Sequence, residues 1–420
     1  MAKITNIFAH QILDSRGDPT IETTVILDSG IFATASSPSG ASTGKHEALE
    51  LRDHDENDYQ GKSVHKAIEN VNSVINAALA GKNAENIQDL DASLLQLDNT
   101  ENKSNLGANA ILSVSIALTK VIAFQRGEAA YKYLYETMQS GKPYTMPKPL
   151  CNLINGGLHA GWNLDIQEFI VTPLKAPTFA ESIKEVVHVA KTLKGMLVAK
   201  GFQTLVGDEG GFAPKLATNE EAFALLREAI TKAGYQNHDH IALGMDAAAS
   251  SFYKDGAYVL RDKAAPLSPA ELGVYYVGLA QKYDLFYLED PFEEDEIEAW
   301  ESFLPTTPQN LIVTGDDLTV TNPKRLDMAL EKKAIRGIII KPNQIGTVTE
   351  SMEVVKKAKA AGLTVIVSHR SGETTDDFVA DFAVGVGADF AKFGAPVRGE
   401  RVVKYNRLMQ IEQELGLNAK

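Results

Sequence analysis

The 420-residue chain has a single cysteine, Cys151. An internal disulfide is therefore impossible, which fits a reducing compartment. It also lacks any run of 18 or more uncharged apolar residues, so a membrane-spanning helix is not expected. The N-terminal stretch MAKITNIFAH has no apolar signal-peptide core. These features together suggest a soluble, cytoplasmic chain. Basic residues are in deficit: 41 Lys and Arg stand against 55 Asp and Glu, a formal net charge of -14. That balance argues against nucleic acid as the main ligand. It would also repel an anionic substrate at long range, so any anion site must be built locally from Lys, Arg, metal and backbone N–H groups. The apolar content, 44%, is ordinary for a globular protein. The length exceeds what one hydrophobic core usually holds and suggests two domains.

Residues 1 to about 60 read as short strands and turns. Asp18-Pro19 marks a turn, 20–27 is rich in β-branched residues, and 31–35 reads as the returning strand. The stretch 36–44, SSPSGASTG, has no apolar periodicity and reads as a mobile loop, a lid. SGASTGK at 39–45 resembles a phosphate loop only superficially. Too few residues separate Gly40 from Lys45, and no Ser or Thr follows the lysine. Helical spacing covers 61–80, 84–97, 107–126 and 128–139, and the nearly apolar 107–126 predicts a buried helix. The proline-rich 140–150 divides the chain, giving domains of 1–138 and 139–420.

Beyond that point strand candidates alternate with helices. The strands are 150–154, 166–172, 202–206, 240–245, 284–288, 311–315, 337–340, 363–367 and 388–391. Their number and rhythm predict a closed eight-stranded α/β barrel. Two strand candidates precede the first long helix at 179, so the barrel should open with an unusual connection. The fold class expected is α/β, a modified barrel with an N-terminal α+β domain.

Ionisable residues close six of these strands. Asp246 ends LGMD, Glu289 ends FYLED, Asp316 ends IVTGD, Lys341 ends IIIK, His369 ends VIVSH and Lys392 ends FAK. Strands must end somewhere, and a polar residue there can simply be a cap. Six at one register, roughly one strand-plus-helix unit apart or somewhat more, point instead to a shared barrel mouth. Asp246, Glu289 and Asp316 form an all-oxygen set suited to Mg²⁺, and no His/Cys cluster accompanies them that would favour zinc. The alternative for each acid is a salt bridge to Lys341 or Lys392. Beside a metal, either lysine should have a lowered pKa and could serve as a base for a proton next to a carboxylate. A Schiff-base role is chemically open but leaves the three acids unexplained.

Glu209 in GDEGGFAP and Glu168 in DIQEF could both face the mouth and assist a leaving hydroxyl, with Asp208 a rival to Glu209. Arg370 and Ser371 suit a phosphate, although Ser371 could equally cap a helix. His159 sits in the glycine-rich NGGLHAG loop.

The chain resembles the enolase family over essentially its whole length, from SRGDPT to KYNRL. The motifs that carry the resemblance are SGASTG, EALELRD, GANAILSVSIA, NLINGGLHA, QEF, GDEGGFAP, MDAAAS, LEDP, GDDLTVTNP, IKPNQIGT, SHRSGET and KFGAP. The resemblance implies a lyase that reversibly dehydrates 2-phospho-D-glycerate to phosphoenolpyruvate in glycolysis and gluconeogenesis, with two Mg²⁺ ions, the second completed with substrate. Asp246, Glu289 and Asp316 match the ligands of the first ion, and Ser39 in the lid matches a ligand of the second. Lys341 matches the base at C2, and Glu209, supported by Glu168, matches the group assisting loss of the C3 hydroxyl. Lys392 matches the substrate carboxylate contact, Arg370 and Ser371 match the phosphate contacts, and His159 matches the active-site loop histidine. His369 joins the substrate contacts. The resemblance also implies a homodimer, sometimes an octamer, and a possible pool of the protein outside the cell.

Three positions depart from the family pattern: Phe393 where Thr is common, Gly399 where Ser is common, and Ser37 where Val is usual. Rival readings are a related acid-sugar dehydratase, or an altered paralogue serving as a surface adhesin or assembly partner.

Overall fold

The computed structural model describes residues 2–41, 43–139 and 141–417. The chain opens with an antiparallel sheet of β1 (Ile4–Leu13), β2 (Pro19–Leu27) and β3 (Phe32–Ser36). Ser36, expected in the loop, is thus the last residue of a strand. The helix Ala108–Gln125 packs against β2 and β3. By length and composition it is apolar enough to cross a membrane, but 83% of it is buried inside the fold, as a core helix should be. A helical run from His65 to Leu79 and the helices Ile87–Asp98 and Ala130–Met138 also belong to this part.

The rest closes into a barrel. Its strands are β4 (Lys148–Asn155), β5 (Glu168–Pro173) and β6 (Ile241–Asp246), then, after a small hairpin of β7 (Tyr253–Lys254) and β8 (Ala257–Tyr258), β9 (Leu285–Glu289), β10 (Ile312–Gly315), β11 (Gly337–Ile340), β12 (Thr364–Ser368) and β13 (Phe390–Lys392). The order round the barrel is β4, β5, β6, β9, β10, β11, β12, β13 and back to β4. All neighbours are parallel except β5, which runs antiparallel to both β4 and β6. This is the irregular opening expected from the two strands before residue 179.

The candidate strand 202–206 is not part of the barrel. Its backbone pairs locally instead: Ala213 N–H donates to Leu205 O and Gly207 N–H to Gly211 O. Leu205 and Val206 are exposed. Apolar residues there imitated a strand but find no place in the barrel, because eight other strands close the ring.

Two hydrophobic cores result. One lies outside the strands and under the helices. The other fills the barrel and consists of Leu150, Ile170, Tyr287, Ile339, Ile366 and Phe390. Side chains alternate along a strand with a period of two. The inward positions next above this inner core are therefore Asn152, Glu168, Glu289, Lys341, Ser368 and Lys392. On β5 the step runs backward, because that strand is antiparallel and its first residue is the one at the mouth. On β6 the inward pair is Gly244 and Asp246. A Cβ on Gly244 would lie 2.8 Å from the Cβ of Tyr287, so the tyrosine fills the space that a side chain there would need.

Candidate active site

The mouth of the barrel holds a cavity lined by His159, Gln167, Glu168, Glu209, Asp246, Asp290, Asp316, Asp317, Lys341, Ser368, His369, Arg370, Ser371 and Lys392, among others. Glu289 lies deeper and is fully buried. The strand-end residues singled out from sequence therefore converge on one place.

Lys392 is the hub. Its Nζ donates to Glu289 Oε2 at 2.7 Å and Asp246 Oδ2 at 3.1 Å, and lies 3.1 Å from Glu168 Oε1. Burial opposes its charge, but these carboxylates prevail and hold it well above the ordinary lysine value. Tyr287 donates its hydroxyl to Glu289. The other oxygen of Glu289, Oε1, is buried without a hydrogen-bond partner, and so is Glu168 Oε2. Burial, followed by the charge of Asp246, pushes Glu289 up to about 8. Burial and neighbouring acids likewise push Asp290 and Asp317 well above the carboxylate range. The site thus carries more buried carboxylate than its own lysines and arginines can match. Those acids are oxygen donors of the hard type, so the residues present fit a cation such as Mg²⁺.

Asp316 is held by Gln344 Nε2, which donates to Oδ1 at 2.9 Å, and by an ion pair from Lys341 Nζ to Oδ2. Its backbone N–H, and that of Asp317, donate to the two oxygens of Asp290 at 2.9 and 2.8 Å. Asp290 therefore shapes the turn that presents Asp316. Its place in LEDP was a usable signal that the sequence reading passed over. For Lys341, burial favours the neutral amine, yet the adjoining Asp316 carboxylate wins and its pKa stands above the usual lysine value. The lowered pKa expected from sequence applies to the lysine beside a bound metal ion, whose charge would oppose that of the carboxylate.

On the other side, Glu209 accepts a hydrogen bond from Asn152 Nδ2 at 3.0 Å. His159 Nδ1 lies 3.4 Å and His369 Nε2 3.6 Å from its Oε1. Asp208, its rival, is only half-buried and does not line the cavity. Burial pushes Glu168 well above the carboxylate range, and the charge of Glu209 adds to this. Burial acts on Glu209 too, but His159 and its other polar neighbours keep it ionised. The two carboxyl groups are thus pushed in opposite directions and titrate as a pair. Ligand atoms of His159, Glu168 and Glu209 lie within 4.8 Å of one another and could also hold a metal ion, as could those of Asp290, Asp316 and Asp317.

Arg370 forms a two-pronged ion pair with Glu47, Nη1 to Oε2 at 2.9 Å and Nη2 to Oε1 at 3.1 Å, and donates to Asn343 Oδ1 at 3.0 Å. From sequence Glu47 had no assigned role, although it opens the EALELRD motif just after the lid. Ser371 Oγ accepts the N–H of Ala41 at 2.7 Å, and Ser39 pairs its backbone with Gly372. The lid segment is therefore attached to the loop that carries Arg370 and Ser371. The Ser39 hydroxyl donates to Glu50 and accepts from Arg16 and Arg52. Among the described residues no bond joins it to the acids at the mouth. Ser42 lies outside the described residues.

The three unusual positions leave the charged set intact. Phe393 follows Lys392 on the outward face and packs its ring 5.9 Å from that of Tyr405. Gly399 starts the last helix, Gly399–Glu414, with open space about it. Ser37 is buried, and its carbonyl accepts the Thr20 hydroxyl at 2.6 Å.

Two family models match the chain. One, described as "Enolase, N-terminal domain", covers residues 4–134, and the other, "Enolase, C-terminal TIM barrel domain", covers residues 143–420.

Proposed function

The chain belongs to the enolase family, and from that premise we propose how its residues divide the reaction between them. The protein is a lyase that catalyses the Mg²⁺-dependent phosphopyruvate hydratase reaction. Its substrate is a small phosphorylated anion, 2-phospho-D-glycerate, and its product is phosphoenolpyruvate.

The observation that carries the division of roles is the ring order of the strands. Lys341 follows β11 and Glu168 begins β5, four places apart in a ring of eight. An elimination takes a proton from C2 and expels a hydroxyl from C3, and opposed walls can serve the two ends in turn. Lys341 is the base. Its Nζ, in neutral form, accepts the C2 proton. Glu209 orients the C3 hydroxyl from the opposite wall, and Glu168, in its protonated form, supports it by giving the proton with which that hydroxyl leaves as water. Lys392, held cationic, meets the substrate carboxylate. Arg370 and Ser371 meet the phosphate, which would share or replace Glu47 as the partner of Arg370. His159 and His369 flank Glu209 and close that wall against water.

Asp246, Glu289 and Asp316 would hold the Mg²⁺. An ion bound there would compete with Lys341 for Asp316 and would supply positive charge against the negative charge that grows on the substrate carboxylate. Ser39 would contribute to a second site when substrate is bound, which requires its hydroxyl to leave Glu50. We place the division between the two domains at 138/139. A homodimer in the cytoplasm is the assembly and setting that the family assignment favours.

The direct test is turnover of 2-phosphoglycerate by the purified chain, with and without Mg²⁺, followed by appearance of the enol product. Substitution of Lys341 by Ala should abolish it. Turnover that persists in that variant would remove the base assignment.

A further inference from the structure

Arg401 is fully buried, in the first turn of the helix Gly399–Glu414. A guanidinium is always charged and carries donors only, so its burial calls for an account of where those donors go. Nη1 lies 2.7 Å from His369 Nδ1 and also donates to the carbonyl of Arg370. Nη2 donates to the carbonyl of Ser371 at 2.6 Å and to that of Asp208 at 3.2 Å. One side chain thus fastens the 369–371 loop to the loop that carries Glu209. Gly394 makes room for this arrangement: a Cβ there would fall 2.6 Å from Glu209 O, 2.9 Å from His369 Cε1 and 3.4 Å from Arg401 Cδ.

The contact with His369 has a chemical consequence. A ring nitrogen that accepts from a guanidinium carries no proton. The imidazole is then neutral, with its one proton on Nε2. That nitrogen faces Glu209 Oε1 at 3.6 Å. The opposite tautomer, or the imidazolium, would set an N–H against the N–H of Arg401 inside a buried site.

We propose that Arg401 is a positioning residue for the elimination: it fixes His369 as the Nε2–H tautomer, aimed at the Glu209 carboxylate, and locks the Glu209 loop to the phosphate-binding loop. The proposal rests on the reading of Glu209 as the group that assists the departing hydroxyl. Arg401 does not itself line the cavity, and none of its hydrogen bonds goes to the metal acids.

The test is the nitrogen spectrum of the whole enzyme labelled with ¹⁵N-histidine, with His369→Gln used to identify the resonance. In the unsubstituted protein the His369 pair should show one unprotonated nitrogen, Nδ1, and one protonated nitrogen, Nε2, between pH 6 and 8. Arg401→Met should lose that signature. It should also lower kcat about 10- to 100-fold while changing KM far less, as loss of a supporting contact typically does. Arg401→Lys, which keeps the charge but not the fork, should recover only part of kcat. A protonated Nδ1 in the unsubstituted protein would overturn the proposal without any need for a variant. So would an unchanged His369 signature in a folded Arg401→Met enzyme. If the tautomer is as stated but Glu209→Gln dehydrates normally, the assignment of Glu209 fails instead, and the two failures are told apart.

Discussion

Lys341 and Glu168 stand on opposite walls of the barrel mouth, on strands four places apart in a ring of eight. They can face each other only because β5 runs against its neighbours. In a uniformly parallel barrel the first residue of β5 would lie at the far end, beneath the inner core. The reversed strand is thus what places an acid opposite the base.

Asp316 links base and cation. Asp316→Asn keeps the shape and the Gln344 contact but removes the charge paired with Lys341 and offered to Mg²⁺. Mg²⁺ affinity measured by calorimetry should fall by about 10-fold or more, in keeping with the loss of one carboxylate from a three-acid site. Affinity equal to that of the unsubstituted protein would refute the ligand assignment.

A second prediction concerns stability and pH. Asp91 is fully buried. One of its oxygens accepts the Thr349 N–H at 3.0 Å, at the start of the helix Val348–Ala360, and the other has no partner. Burial raises its pKa from 3.8 to about 6. A carboxyl raised on folding favours the folded state only while protonated. The contribution is full below about pH 4 and is lost as pH rises through about 6. Asp91→Asn should therefore stabilise the protein at pH 7, by about 1–3 kcal/mol, and flatten the rise in unfolding between pH 4 and 6. Denaturant midpoints across that range check it. An Asn variant that is less stable at pH 7 with the same slope would contradict it.

The lid supplies a third. The amides of Ser39 and Ala41 donate to Gly372 O and to Ser371 Oγ. A phosphate held by Arg370 and Ser371 should tighten both. Hydrogen exchange at these amides should slow when substrate and Mg²⁺ are added together, and change little with Mg²⁺ alone. Equal rates in all three conditions would show that the segment does not respond to the substrate.

Much of the site was legible in the sequence for one physical reason. A barrel strand alternates, so an ionisable residue two places beyond an inward-facing apolar one points into the mouth, as Lys341 does beyond Ile339 and Lys392 beyond Phe390. Three things were not legible. The segment 202–206 has the composition of a strand, and only closure of the ring by other segments excludes it. The pairing of Arg370 with Glu47 joins residues 323 positions apart, and spacing does not give that. Arg401 was missed because a lone charged residue on a helix is usually taken to face solvent. Its spacing to Tyr405, Leu408 and Ile411 put it on the buried stripe, and an arginine in that stripe was the available signal.

The central claim, that Lys341 removes the C2 proton while Glu209 serves the departing hydroxyl, is tested most directly by following exchange of the C2 proton of 2-phosphoglycerate in D₂O by NMR. The variants to compare are Lys341→Ala and Glu209→Gln, each first shown to bind Mg²⁺. Lys341→Ala should lose both exchange and dehydration. Glu209→Gln should retain exchange while dehydration falls by a much larger factor, because proton removal and hydroxyl loss are then separate events. Normal exchange in the Lys341 variant, or exchange that falls in step with dehydration in the Glu209 variant, would contradict this division of roles.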